Sequence, residues 1–303
     1  MSSAEFQRLP RVLAPGPGGA VTSLFVALRR RFRHATGREL GLAHATRLLA
    51  RYLPSWQELP LEGPAGRSVY LDLRDSEGYL VNGFESTVGH MSSLIAQVHD
   101  GDVLLDVGAN IGVWSRELLA HRQLGAVYAF EAAACAFRML QKNLASYPNV
   151  RCENVAVGAE NGVAKFRDDI GGQNRVISEL HNEHEPNAGH TVTVPIVTLD
   201  TWAERVGLTR LDVMKVDVEG GELDVFRGAE RTLRRFFPVI YFEYLPETGA
   251  VGAAKTQAFE WLTELGYKMQ AVLSDGRSVP VATPGACAQL ATYSNDVIAL
   301  PPK

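Results

Sequence analysis

Apolar residues recur along the chain with two different periods, and the change falls near residue 100. Between about Val21 and Leu53, Leu24, Phe25, Leu28 and Phe32, then Leu42, Ala45, Leu48, Leu49 and Tyr52, return at threes and fours. This spacing predicts two amphipathic helices, broken near Gly37 to Gly41 and docked as a cap. Val69-Tyr-Leu-Asp-Leu and Gly78-Tyr-Leu-Val, separated by Arg74-Asp-Ser-Glu, predict a β-hairpin. From Asp100 short apolar runs alternate with helical periodicity, the form of a parallel sheet with crossover helices. The runs are Val103 to Val107, Ala126 to Phe130, Val150 to Val157, Leu211 to Val218 and Pro238 to Tyr244, with later strands near Tyr267 to Leu273 and Ala291 to Leu300. Their near-continuous hydrophobicity suits strands buried on both faces. Phe137, Leu140 and Leu144, then Phe226, Ala229, Leu233 and Phe236, mark helices with one inward stripe, and Ala254 to Leu265 a further helix. The expectation is about seven strands, with Asp168 to His190 as a polar loop or insertion.

Composition narrows the class. With 46% hydrophobic and 21% charged residues in 303, the chain is an ordinary globular one, and a net charge of −4 provides no global attraction to nucleic acid or anionic lipid. Residues 1–20, with Pro10, Pro15 and Pro17, read as a loose leader. The apolar run Ala20 to Leu28 is followed by Arg29, Arg30, Arg31 and Arg33, so it is neither a cleavable signal nor one of the roughly 20-residue stretches that span a bilayer. The arginines read as a solvated helix face. Cys135, Cys152 and Cys287 suggest no disulfide framework and no zinc site. The expected organisation is a leader at 1–20, helices and hairpin at 21–99 and an α/β domain at 100–303, in the cytoplasm, with a small-molecule partner and neither nucleic acid nor membrane.

Candidate chemistry lies at strand ends. Val103-Leu-Leu-Asp-Val-Gly-Ala-Asn-Ile-Gly112 reads as strand, tight turn and helix start, with Gly108, Asn110 and Gly112 in the turn. Glycines alone serve close packing as often as cofactor binding. Asp106 bears on the choice, since a carboxylate at the strand tip opposes a pyrophosphate and welcomes a cation. S-adenosylmethionine, with an ammonium, a sulfonium and no phosphate, fits it. Glu131, 25 residues beyond Asp106, is placed either to accept from ribose hydroxyls or to favour the start of the next helix. Asn154 and Val155 stand where an adenine edge and face would be held, or are an ordinary strand end. Lys215, Asp217 and Glu219 alternate on one face of a central strand, so they pair with one another or face the cleft beyond its carboxyl end. Asp217 and Glu219 read as cleft residues, Lys215 as their counter-ion, Glu222 as a helix-start charge and Glu243 as a third cleft carboxylate. The carboxylates lack a clear metal-ligand spacing, so no divalent cation is expected. His181, His184 and His190 read as solvated loop residues, any of which could serve as a base.

These motifs, Asp106-Val-Gly-Ala-Asn-Ile-Gly112, Phe130-Glu131, Asn154-Val-Ala156, Thr198-Leu-Asp200, Lys215-Val-Asp-Val-Glu-Gly220 with Glu222, and Gly228-Ala229, resemble the FkbM-type methyltransferases from about Val69 to Tyr244. The resemblance implies a Rossmann-like class I methyltransferase sheet with an antiparallel last strand, S-adenosylmethionine as methyl donor and a hydroxyl of a sugar or secondary metabolite as acceptor. Gly221 departs from the family pattern and implies a looser helix start. The expected reaction is in-line attack of the hydroxyl on the sulfonium methyl, with Asp217 as first candidate base and Glu243 and Glu219 behind it. A nicotinamide-dependent oxidoreductase shares the sheet and Glu131, but Asp106 and the missing G-x-G-x-x-G count against it. A non-catalytic partner-binding protein with a retained fold is the other alternative.

Overall fold

The computed structural model describes residues 12–13, 22–27, 42–63, 67–74, 84, 90–168, 175–176, 190–245 and 249–302. Its centre is a mixed eight-stranded sheet. Parallel strands β3 (Val103–Val107), β4 (Ala126–Phe130), β5 (Val150–Glu153), β10 (Val213–Val216) and β11 (Val239–Glu243) lie in the order β5-β4-β3-β10-β11. Antiparallel β14 (Tyr293–Leu300) inserts between β11 and β12 (Lys268–Leu273), and β13 (Ser278–Pro280) closes the edge. The last strand in the chain is therefore antiparallel, as the resemblance implied. The eighth strand, β13, is a three-residue edge strand with no buried residue, too short to leave a pattern in the sequence. Every residue of β10 is buried, and four of the five in β3, because helices cover both faces.

The crossover helices are α3 (Val113–His121), α4 (Ala134–Leu144), α5 (Leu199–Val206), α6 (Glu222–Arg227), α7 (Glu230–Phe236) and α8 (Gly249–Glu264). The main core gathers Phe130, Trp202, Phe226, Phe242 and Phe259, with Trp202 edge-on to Phe130 at 4.9 Å. The periodicity at 226 to 236 predicts one helix, whereas two occur. Gly228 sits at the break, where an added Cβ would fall 2.0 Å from Gly158 O, so the chain is pressed against the neighbouring loop and restarts as α7. Asp200 replaces the missing cap: its carboxylate accepts from the N–H of Arg231 (3.0 Å) and Thr232 (2.8 Å), in the first turn of α7.

Three other expectations change. The run Val150 to Val157 divides: β5 belongs to the main sheet, and β6 (Ala156–Val157) to a second sheet in the order β6-β9-β7-β8, with β7 (Gly162–Asp168), β8 (Arg175–Val176) and β9 (His190–Val197). The segment read as a loop is thus bounded by strands that pair at seven positions, Gly162↔Ile196 through Asp168↔His190. His190 opens β9, while His181 and His184 lie outside the described residues. The hairpin is also differently paired. β2 (Ser68–Leu71) joins the upstream β1 (Leu59–Glu62), and residues 78–81 lie outside the described residues. Within the expected leader, Val12 bridges to Leu61 and the remainder is not described, as is true of residues 28–41.

The third change concerns the N-terminal helices. Residues 22–27 and α1 (Leu42–Ala50) are helical, but Leu24, Ala45, Leu48, Leu49 and Tyr52 are exposed. Thr22, Val26, Thr46 and Ala50 are the buried ones. Trp56 explains the inversion, since it fills the space beneath these helices, lies tilted by 37° against Phe25 with ring centroids 5.3 Å apart and donates its Nε1–H to Thr22 Oγ1 at 2.9 Å. Val26, Ala50 and Trp56 share one cluster with Leu59, Leu71, Ile111, Val113 and Met139, which joins this module to α3 and α4.

Replacing Gly228 by alanine should lower stability by about 1–3 kcal/mol through forced separation of the two backbone runs. The measurement is the urea midpoint at constant m-value; an unmoved midpoint would show that the contact with Gly158 yields freely.

Candidate active site

The turn after β3 is shaped by close backbone contact. Gly108, Asn110 and Gly112 all have left-handed backbones, with φ of 75°, 50° and 83°. A Cβ on Gly108 would lie 1.8 Å from the backbone oxygen of Asp217, so the ends of β3 and β10 touch where only glycine fits. Asn110 takes the left-handed conformation that its place in the turn predicts. The N–H groups of Gly108 and Ala109 both donate to Phe130 O, at 3.1 and 2.9 Å, which ties the turn to β4.

Two oxygens in this turn stand out. Asp106 is buried, and its Oδ2 accepts from Ser115 Oγ at 2.6 Å. Its Oδ1 faces Lys215 Nζ at 3.4 Å without a hydrogen bond, and has no hydrogen-bonding partner among the described residues. Asn110 Oδ1 is likewise buried and without one. Such atoms are rare in folded proteins and leave each oxygen open to a further hydrogen bond.

Glu131 has the helix-start role among those open to it. Its Oε2 accepts from Asn110 N (2.8 Å) and its Oε1 from Ala133 N (2.7 Å), so one carboxylate holds both the turn and the start of α4. Asn154 donates to the carbonyls of Glu131 (2.8 Å) and Ala132 (3.2 Å), fixing the loop after β4. Val155 is half-buried against the main core, at the point where the chain passes from one sheet to the other.

On β10, Lys215 is buried and central. It donates to Gly108 O at 2.7 Å and stands 3.4 Å from Asp106 and 3.5 Å from Asp217. Burial opposes its charge, but the two carboxylates outweigh burial and raise its pKa above the ordinary lysine value. Asp217 has a side chain 43% exposed, which places it at the mouth of the cleft. Glu219 follows with φ 56°, a left-handed backbone that costs a side-chain-bearing residue energy and is typical of functional turns. Glu222 Oε1 accepts from Val218 N (3.3 Å) and Gly220 N (3.2 Å), bracing that loop. Gly221, the N-cap of α6, has no side-chain cap, and a Cβ there would meet only ordinary contacts from 3.4 Å.

The carboxylates crowd one another. Burial, reinforced by Asp217 and Glu243 and opposed by Lys255, pushes Glu219 up to about 8. Burial likewise pushes Glu222 to about 7, against the Lys255 charge, and Asp296 to about 7, against its hydrogen bond from Tyr241. Glu243 is held by Lys255 Nζ at 2.8 Å. Sequence reasoning missed Ser115, Lys255 and Asp296. Ser115 could have been found as the residue one helical turn into α3, on the side of Asp106. Lys255 and Asp296 come from α8 and β14, and only the sheet order brings them to Glu243, which pairs with Asp296 across the antiparallel ladder. Among the described residues, no group of three His, Cys, Asp or Glu side chains is arranged to hold a metal ion.

The arrangement is a polar cleft beyond the carboxyl ends of β3, β4, β10 and β11, where open α/β sheets bind ligands. Comparison with known proteins gives the family. The model of the methyltransferase FkbM domain matches residues 106–269. The chain is 28% identical over 153 residues to the 2-O-methyltransferase NoeI of Sinorhizobium fredii, covering 47% of this chain and 63% of that protein. It is 29% identical over 163 residues to the 31-O-demethyl-FK506 methyltransferase FkbM of Streptomyces tacrolimicus (44% and 62%). It is 27% identical over 141 residues to the hexuronic acid methyltransferase AglP of Haloferax volcanii (46% and 55%). The chain thus spans less than two thirds of the length of each. From Asp106 at the first strand tip to Met269 beyond the last crossover helix, the match takes in more than half of the sequence, and the chain belongs to the FkbM methyltransferase family.

Proposed function

We propose that this protein transfers a methyl group from S-adenosylmethionine to a hydroxyl oxygen of a sugar or secondary metabolite. The observation that carries this reading is the pair of buried oxygens, Asp106 Oδ1 and Asn110 Oδ1, that accept no hydrogen bond among the described residues beside the glycine turn. They suit a ligand with an ammonium group and would reject a phosphate. In this reading Asp106 and Asn110 hold the ammonium end, with Gly108 and Gly112 allowing close approach. Glu131 accepts from the ribose hydroxyls, and Asn154 and Val155 border the adenine. When bound, the cofactor supplies an electrophilic methyl group whose passage to an alcohol releases a proton. Asp217, half-exposed at the cleft mouth, takes that proton, with Glu243 and Glu219 beside it as the further carboxylates of the acceptor side. The remaining chain aligns the two reactants and keeps water out. The relatives support the acceptor class, since their names place their methyl groups on O-2, on O-31 and on a hexuronic acid. The same two oxygens disfavour a nicotinamide dinucleotide, which would bring a pyrophosphate to Asp106.

Three outcomes are expected. In calorimetric titration, S-adenosylhomocysteine binds one-to-one and NAD does not, and Asp106→Ala or Glu131→Ala weakens binding by about ten-fold or more, through loss of charge-assisted hydrogen bonds. Normal binding in both variants would remove the cofactor site from this turn. Asp217→Asn should keep S-adenosylhomocysteine affinity within a few-fold while turnover with labelled donor drops by about 10² to 10⁴; unaltered turnover would exclude Asp217 as the base. Finally, Glu219 has a raised pKa when folded, so the folded state holds its proton more tightly than the unfolded chain. The stability that Glu219 contributes is complete below about pH 4.5 and is lost as pH rises through about 8. Glu219→Gln should therefore flatten the fall in urea midpoint between those values, and parallel profiles for the two proteins would contradict the placement of Glu219 among the other carboxylates.

A further inference from the structure

The N-terminal module turns its larger apolar side chains the wrong way for a cap. Helix 22–27 buries Thr22 and Val26 and exposes Leu24, while α1 buries Thr46 and Ala50 and exposes Leu48 and Leu49, followed by Tyr52 and Leu53. Leu24 is 62% exposed, Leu48 48%, Leu49 46% and Tyr52 77%. Of the seven large apolar side chains exposed among the described residues, five belong to this module, and Leu13 and Val163 lie elsewhere. Apolar exposure is therefore concentrated in one place, and such patches on soluble proteins mark interaction surfaces.

The charge of the same stretch selects the partner. Residues 21–53 contain seven arginines and a single glutamate, in a chain whose net charge is −4. The remainder of the molecule is correspondingly acidic, so the module is a basic island. Arg51 is exposed within the turn that presents Tyr52 and Leu53. A homodimer through this stretch would bring together two segments that each carry seven arginines and one glutamate, which disfavours it. A polyphosphate chain would meet the arginines but leave the leucines and the tyrosine in water. Exposed leucines and a tyrosine within an arginine-rich stretch are the composition of a segment lying in the headgroup region of an anionic bilayer. Among the described residues no helix is long and apolar enough to cross a membrane, which fits a segment lying in the surface plane.

We propose that this protein docks on anionic phospholipid surfaces through the outward faces of helix 22–27 and of α1 with its following turn to Leu53. The basic character brings the module to the surface, and Leu24, Leu48, Leu49, Tyr52 and Leu53 enter the headgroup region. This departs from the expectation, drawn from net charge alone, that the chain has no membrane partner. It is independent of the methyl-transfer reading.

The test is co-sedimentation of the full chain with phosphatidylcholine vesicles, with and without about one third phosphatidylglycerol. Partition into the anionic vesicles alone is expected, weakening steeply as sodium chloride rises from about 0.1 to about 0.5 M. The double variant Leu48→Glu/Leu49→Glu, at two exposed positions, should partition at least about ten-fold less, with an unchanged thermal melt. Arg51→Glu should weaken partition by a smaller factor that shrinks at high salt. Failure of the wild type to sediment with either vesicle would overturn the proposal. So would partition of the double variant equal to wild type, or a concentration-dependent dimer by light scattering that the double variant abolishes, since the face would then belong to a second copy.

Discussion

The ammonium group of Lys215 is the constraint around which the cleft is built. It sits in a strand whose every residue is buried, and such a charge persists only when its neighbours compensate for lost water. Asp106 on β3 and Asp217 beyond β10 supply the opposite charges, and the Gly108 carbonyl supplies a hydrogen bond. One side chain thus joins the adjacent parallel strands at the point where their carboxyl ends open into the cleft. The same contact explains why residue 108 has no Cβ, because the two strand ends approach closely enough for the Asp217 backbone oxygen to occupy that space. Loss of the lysine would leave two carboxylates facing each other in a low-dielectric interior.

A second cation organises the other half of the cleft. Lys255, buried on α8, holds Glu243 and lowers the energy of charge on Glu219 and Glu222. Its field does not cancel their burial, and the three carboxyls of Glu219, Glu222 and Asp296 have proton affinities close to neutral pH. In the proposed reaction the turn beside Lys215 holds the cationic cofactor, and Asp217, 3.5 Å from Lys215, takes the proton on the side where those carboxyls crowd. Glu222 links the two by bracing the loop that presents Glu219, so a residue whose sequence context suggests only helix-end electrostatics also shapes the cleft wall.

Much of the sheet was legible because buried parallel strands leave long apolar runs. β3 and β4 occupy the expected residues, and β10 and β11 lie within the expected runs. Less legible were features in which a pattern admits two partners. The Val150 to Val157 run is continuous in composition, yet its two ends join different sheets, because Asn154 and Val155 turn the chain between them. β7 and β9 left a weaker signal because, among the described residues, each buries a single side chain in the core, Phe166 and Val194. The helical periodicity near the N-terminus was real but its direction was not, since Trp56, just beyond α1 and 34 residues from its partner Thr22, fills the space beneath both helices.

The candidate site divides along the same line. Asp106, Glu131, Asp217 and Glu243 could be named from the sequence because strand tips of an α/β sheet converge, and a charged residue ending an apolar run must lie at such a tip. Gly108, Asn110 and Gly112 could be named because a tight strand-to-helix turn needs left-handed backbone. The sequence by itself determined the sheet, the turn and the ring of carboxylates, since each of these follows from local periodicity and burial. Only the tertiary structure decided which carboxylates are compensated, which oxygens remain unpartnered and which way the N-terminal helices face. Those properties depend on Lys255 from α8, Asp296 from β14 and Trp56 from beneath the module, and long-range packing leaves no periodic trace in the chain that it folds.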